Sequence, residues 1–380
     1  MRSPLVLLLA AVVVAPAVAQ PKSAFAEGKH EAGELKFVSG VAVLTVGGKP
    51  AEIGEQIGVL TKSALPDPTA KMNTFVESQN LKNVYPLMKR AAAGLKGGYP
   101  PDHLAEMEAI AKATGNDLEL LLLANGMYDL VGGFGCSTLV VEKDRSGTGQ
   151  PLFGRNFDWR PFDGMDGLAA VMVFKPAGKR AFAAVTLAPV TGVFSGMNDA
   201  GLCVTNNQIY ARQSKDKSKT NWAGVPTLMA FRRVLEECST VAEAEKLLRG
   251  MKRMSTVCMT VCDPTGGAVF EITPDTVEVR KADHGVCLCT NHFCTPSLNG
   301  DDRGCWRMDK LTAVQQADGK LGVADVFDRL HEVNQKAATM QSMVFEPATK
   351  TLHLKLGDGK QPATTAKAAT LELSKLFGGK

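Results

Sequence analysis

Apolar and polar positions divide the chain into three stretches of different character. The first is an apolar run, Leu5 to Ala15, behind a positive start at Met1-Arg2 and ahead of Ala17-Val18-Ala19, an A-x-A cleavage pattern. The run is too short to span a bilayer, and no later run of about 18 apolar residues takes its place. Residues 1–19 therefore read as an export signal, and the protein as periplasmic or secreted without a stable membrane anchor.

The second stretch is mostly helical. Phe37 to Val46 is apolar and β-branched, which predicts one strand, and Gly47-Gly48 turns out of it. From Pro50 to about Met127 apolar residues recur at helical spacing, as in Leu81, Tyr85, Met88 and Ala92, then Leu104, Met107, Ile110 and Ala111. Pro100-Pro101 suits a helix start and Gly115 a stop.

The pattern changes again at Gly132-Gly133-Phe134-Gly135-Cys136. Strands are predicted at 137–142, 151–158, 169–174, 181–187 and 201–206. The first two form a hairpin across the turn-rich 144–149. Helices are predicted at 226–238 and 240–250, the second capped by Thr240 and Glu243. Further strands follow at 256–262, 268–273, 276–280 and 286–290. Helices near 306–316 and 323–337 precede a last strand carrying Leu352, Leu354 and Leu356 on one face. Strand groups interleaved with helix pairs suggest two antiparallel sheets packed together with helices outside, an α+β class.

At 45% hydrophobic and 22% charged residues the chain has an ordinary globular composition. Its formal net charge of +4 falls to +3 without Arg2, too little to point to nucleic acid. Nine cysteines in an exported chain allow disulfides, yet an odd number leaves a thiol over. Cys258, Cys262, Cys287, Cys289, His292 and Cys294 lack the paired C-x2-C spacing of a zinc site, so no metal and no cofactor is expected.

By residue type alone, Cys136 is a small buried hydrophobe at the start of a strand. Three neighbours add chemistry. Gly135 permits unusual backbone geometry, Ser137 and Thr138 bring hydroxyls, and Arg155-Asn156-Phe157-Asp158 lies on the partner strand of the hairpin. A thiol needs a base. Were the Gly135–Cys136 bond cut, the new α-amine, with a pKa of about 7.7–8.0 in a free chain, would provide one. Arg155 would favour the thiolate and Asp158 would orient the amine. Oxyanion donors are available among the strand-associated Asn198, Asn206, Asn207 and Asn291.

Four motifs in this order resemble the N-terminal-nucleophile hydrolases, and most closely the isopenicillin N acyltransferase-like autoproteolytic branch. They are Gly135-Cys136-Ser137-Thr138, Gly154-Arg155-Asn156-Phe157-Asp158-Trp159, Gly196-Met197-Asn198-Asp199-Ala200-Gly201-Leu202 and Thr290-Asn291-His292-Phe293. The segment Gly48 to Gly58 resembles the opening of that branch. The resemblance implies a four-layer αββα sandwich, a helical pro-segment over residues 20–135, and a catalytic chain over 136–380. It further implies self-cleavage between Gly135 and Cys136, with the pro-segment retained as a small chain. Cys136 matches the nucleophile, Arg155 and Asp158 the pair that steadies thiol and amine, and Asn291 the oxyanion donor. Asn207 matches a second asparagine, with Asn206 one step away, and a later arginine is either Arg303 or Arg307.

The function expected is hydrolysis of linear, non-peptide amides of small N-acyl compounds through a thioester on Cys136. Transfer of the acyl group to an amine is the alternative, and a non-catalytic envelope protein that binds acylated ligands is a third. Phe157, Trp159, Phe162 and Phe194 hint at a hydrophobic acyl group.

Overall fold

The computed structural model describes residues 22–67, 70, 73–74, 76–77, 83, 85–130, 133–159, 165–209, 220–298 and 304–378. The expected export signal at 1–19, together with Leu81, Gly132, Phe162 and Arg303, lies outside the described residues.

Two sheets form the centre. The larger runs, in spatial order, through β1 (Gly28–His30), β2 (Gly33–Val38), β3 (Val41–Gly48), β6 (Ala169–Pro176), β7 (Phe182–Leu187), β8 (Ser195–Asn198), β9 (Cys203–Gln208), β10 (Val257–Asp263), β11 (Gly266–Ile272) and β12 (Val277–Arg280). The smaller has the order β13 (Val286–Cys289), β4 (Gly135–Val141), β5 (Leu152–Asp158), β14 (Thr339–Glu346), β15 (Thr351–Leu356) and β16 (Ala369–Glu372). β4 and β13 pack against β9 and β11, so the two sheets meet face to face. Helices Thr227–Glu237 and Val241–Gly250 cover the outside of the larger sheet, and Trp306–Gln316 and Val323–Glu332 cover the smaller. This is the expected four-layer αββα sandwich.

Four features depart from the sequence reading. Phe37 to Val46 is a hairpin rather than one strand, because Ser39 (φ 51°) and Gly40 (φ 82°) both take left-handed backbone and reverse the chain. The segment 20–135, expected to be helical, also contributes β1 to β3. β3 pairs with β6 from Val43↔Val171 to Gly48↔Pro176, the one parallel ladder among the described strands. β14 was not anticipated because Thr339, Gln341 and Ser342 interrupt its apolar pattern, yet all three are buried. The helix expected to reach residue 337 ends at Glu332, and Lys336 (φ 56°) turns the chain back into β14.

The helices before residue 136 pack closely. Helix Pro50–Thr61 crosses Pro101–Thr114 where a Cβ on Gly54 would sit 2.2 Å from the Glu106 carbonyl, and one on Gly58 would sit 2.6 Å from Ala113. Only glycine allows that approach. Helix Leu118–Leu130 in turn packs on Thr227–Glu237. A buried ionic cluster joins the same layers. Arg232 donates to both carboxylate oxygens of Glu106 at 2.6 and 2.7 Å and to Glu236 at 2.8 Å. His103 meets Glu236 at 2.9 Å, and Lys179 bridges Glu236 and Asp102.

Candidate active site

The β4–β5 hairpin sets the geometry. Gly135 lies opposite Asp158, Cys136 opposite Phe157, Ser137 opposite Asn156 and Thr138 opposite Arg155. Side chains alternate along a strand. Cys136, Thr138 and Arg155 therefore share the inter-sheet face, and Ser137, Asn156 and Asp158 the helix face. The three-residue step from Arg155 to Asp158 thus sends the two charges to opposite sides of β5.

On the inter-sheet side, Arg155 Nη2 donates to Cys136 Sγ at 3.4 Å and to Asn206 Oδ1 at 3.4 Å, while Nη1 donates to the Asn206 carbonyl. Its guanidinium also lies 5.3 Å from the centre of the Phe157 ring. Arg155 is fully buried, its Nε has no hydrogen-bond partner, and among the described residues no carboxylate pairs with it. On the helix side, Arg307 donates to the Cys136 carbonyl, to Ser137 Oγ at 3.2 Å and to Asn291 Oδ1 at 2.8 Å. It lies 3.8 Å from Asp158. Of the two arginines left open by the sequence, Arg307 is at the site, and Arg303 lies outside the described residues.

Asn291 and Asp158 do not sit as expected in the uncut chain. Asn291 Oδ1 accepts the Cys136 backbone N–H at 2.9 Å, so Asn291 rather than Asp158 holds the nitrogen that cleavage would free. Its Nδ2 donates to the carbonyls of Phe134 at 3.2 Å and Gln208 at 2.7 Å. Asp158 is held by Thr339 Oγ1 at 2.6 Å and Gln335 Nε2 at 2.8 Å. A Cβ on Gly135 would sit 2.1 Å from that Gln335 nitrogen, so a larger residue there would displace the Gln335 side chain from Asp158.

Asn206, not Asn207, meets Arg155. Asn207 donates to the Cys289 carbonyl at 3.4 Å, and its Oδ1 has no hydrogen-bond partner. Asn198 is engaged in its own turn, accepting from the N–H groups of Ala200 and Leu202 at 3.0 Å each. Gln208, Gln335 and Thr339 were not picked out from the sequence. Each lies in a polar stretch that carries no motif, and only pairing across the sheets brings it to the site.

Burial raises the Cys136 thiol pKa above the usual range; Arg155 and Arg307 pull it down and Asp158 pushes it up. Burial also raises the Asp158 carboxyl, against the hydrogen bonds from Thr339 and Gln335. The uncut chain thus holds a thiol raised by burial beside a guanidinium that no carboxylate contacts among the described residues, with Asp158 acting on it only from a distance. All nine cysteines are free. Among the described residues one group has metal-ligand spacing, Asp102, His103 and Glu236, and Lys179 already brings a cation to it.

Comparison with known proteins adds the following. An N-acylethanolamine-hydrolyzing acid amidase ortholog from Caenorhabditis elegans is 21% identical over 56% of this chain and 93% of its own, with a TM-score of 0.44. A variant of conjugated bile acid hydrolase from Clostridium perfringens is 16% identical over 64% of this chain and 95% of its own, with a TM-score of 0.46. Penicillin V acylase from Agrobacterium tumefaciens is 16% identical over 63% of this chain and 92% of its own, with a TM-score of 0.45. No curated protein matches the chain. Residues 144–316 match the model of the acyl-coenzyme A:6-aminopenicillanic acid acyl-transferase family; Cys136 lies just ahead of that stretch, and Arg155, Asp158, Asn207, Asn291 and Arg307 lie within it. That stretch is a little under half of the chain, and over it the chain is similar to the penicillin acyltransferase family.

Proposed function

We propose that the protein is an exported cysteine hydrolase that cuts itself between Gly135 and Cys136 and then cleaves linear amides of small N-acyl compounds. The observation that carries this is the fully buried Arg155, which has no carboxylate partner and donates instead to the Cys136 sulfur. An unpaired buried cation is costly, and a thiolate at 3.4 Å would relieve that cost. In self-cleavage the sulfur would attack the Gly135 carbonyl, the peptide nitrogen would leave as the amine of Cys136, and water would resolve the thioester. Thereafter that amine would take the thiol proton, and the sulfur would attack the substrate amide carbonyl. Asn291, whose Nδ2 already donates to a carbonyl in the uncut chain, is suited to the oxyanion.

A hydrophobic acyl group suits the surroundings. Phe134 fills a box of Tyr128, Phe157, Trp159 and Phe194, with ring centres 4.9 to 6.0 Å away. Cleavage after residue 135 would release it. Phe194 also borders an apolar cleft of about 110 Å³ walled by Ile110, Leu121, Met127, Leu168 and Val190. The β3–β6 ladder and the Arg232 cluster support retention of residues 20–135 after cleavage.

Intact mass and N-terminal sequencing test the cut: a large fragment beginning at Cys136 is expected, and an uncut Cys136→Ala variant. An uncut wild-type chain without amide turnover would overturn the proposal. A chromogenic N-acyl amide panel, with and without an added amine acceptor, separates hydrolysis from transfer.

A further inference from the structure

A second thiol lies near this site and takes no part in the chemistry above. Cys305 is the N-cap residue of the helix Trp306–Gln316, and Arg307 stands two residues on. Its side chain is partly exposed, and Thr290 Oγ1 lies 3.5 Å from its sulfur. The His292 ring, buried to all but 1%, packs against the same sulfur. His292 Nδ1 faces the Phe293 carbonyl at 3.2 Å and the Cys294 sulfur at 3.8 Å. The ring lies within side-chain reach of Cys305, and its Nε2 makes no hydrogen bond of ordinary geometry. A buried imidazole nitrogen without a partner is expensive, and a proton shared with an adjacent sulfur anion satisfies it.

The other thiols lack this combination. Burial pushes Cys203, Cys258 and Cys262 well above the usual range, and Cys238 and Cys287 up to about 12. Cys289 is lowered by Cys258 and Arg280 against burial, but it has no access to solvent. Cys305 is also desolvated, yet His292, Thr290, the Met308 N–H and Arg307 bring it down to about 6. The charged or titratable groups that face it are His292 and Arg307, with Cys294 on the far side of the imidazole.

We propose that Cys305 is a second reactive thiol, a modification site for small disulfides and soft electrophiles, and that an adduct there draws Arg307 away from the Cys136 carbonyl and Asn291. With a disulfide, the Cys305 thiolate attacks one sulfur. A new S–S bond forms, the old one breaks, and the leaving thiolate takes a proton from water. With iodoacetamide, a carbon–sulfur bond forms and iodide leaves. In either case the adduct occupies the helix N-cap, from which Arg307 reaches the site. The modification does not depend on the proposed function; its effect on turnover rests on that reading.

The test uses the full purified chain and its Cys305→Ser variant. In an iodoacetamide pulse at pH 6 followed by peptide mass mapping, Cys305 is expected to label about ten-fold faster than Cys294, with a rate midpoint near pH 6. Faster labelling at Cys294, or a midpoint near the ordinary thiol value of about 8.5, would overturn the assignment. In a second arm, bis(2-hydroxyethyl) disulfide, at a dose for which peptide mapping finds Cys136 unmodified, should reduce amide turnover of the wild type and spare Cys305→Ser. Equal inactivation of both, or an adduct on Cys305 with turnover intact, would overturn the link to Arg307. A wild type that labels at Cys305 and turns over no amide supports the reactive thiol and refutes only the proposed enzyme.

Discussion

Among the described residues two arginines are buried to within 2% of completely, Arg155 and Arg232, and their surroundings are opposite. Arg232 meets two carboxylates at three of its nitrogens and lies over the Phe174 ring at 4.6 Å. Arg155 has two oxygens of one asparagine, a sulfur and the face of the Phe157 ring, with no carboxylate in contact. The first arrangement is satisfied and joins a helix from before residue 136 to one from after it. The second is electrostatically incomplete in the uncut chain, and the thiol is the group that can complete it by losing a proton. A buried charge with its counter-charge holds layers together; a buried charge without one can drive chemistry.

Replacing Cys136 with Ala should have the largest effect, removing self-cleavage and amide turnover together while leaving the ionic cluster intact. Intact mass and a turnover assay on the same sample check this. The two arginines should then separate. Arg232→Met leaves Glu106 buried without its cation and Glu236 with only His103 and Lys179, and should cost about 3–5 kcal/mol of stability in denaturant unfolding. Arg155→Met should instead lower kcat/KM about 100-fold, or about 2.7 kcal/mol at the barrier. Its stability loss should be smaller, about 1–3 kcal/mol for the Asn206 oxygens left unpaired. Equal loss of stability in the two variants would abolish the distinction drawn between them.

Acid provides a weaker test of the same contrast. Burial pushes the Glu236 carboxyl up, but Arg232, His103 and Lys179 outweigh it and hold the group well below the usual range. A carboxylate depressed by folding contributes fully above its unfolded pKa of about 4.3 and loses that contribution as pH falls toward the folded value. Thermal stability should therefore decline below about pH 4.3, and Glu236→Gln should flatten that part of the profile. The smallest effect should come from Thr339→Val, which removes one hydrogen bond from Asp158 and lets burial raise its carboxyl further. About a ten-fold loss in kcat with little change in KM is expected.

The hairpin from Cys136 to Asp158 was legible because a strand alternates its faces every residue, so spacing along β4 and β5 becomes position in space. The two-sheet arrangement was legible for a similar reason, since most strands are apolar throughout and bounded by turns. β14 was missed because its buried polar residues look like a loop until Asp158 and the neighbouring strands surround them. Asn206 and Asn207 could not be separated by motif alone. Adjacent strand residues differ only in which face they take, and the contact with Arg155 decides it.

By itself the sequence determined the periodicities and the hairpin with its thiol and charges. Tertiary structure decided which groups those charges meet: Arg307 on the Cys136 carbonyl, Asn291 on its nitrogen, and Gln335 and Thr339 on Asp158. These partners lie more than a hundred residues away along the chain. Local patterning sets the direction in which a side chain leaves its strand or helix, and only the packing of sheet on sheet and helix on sheet sets what it finds there.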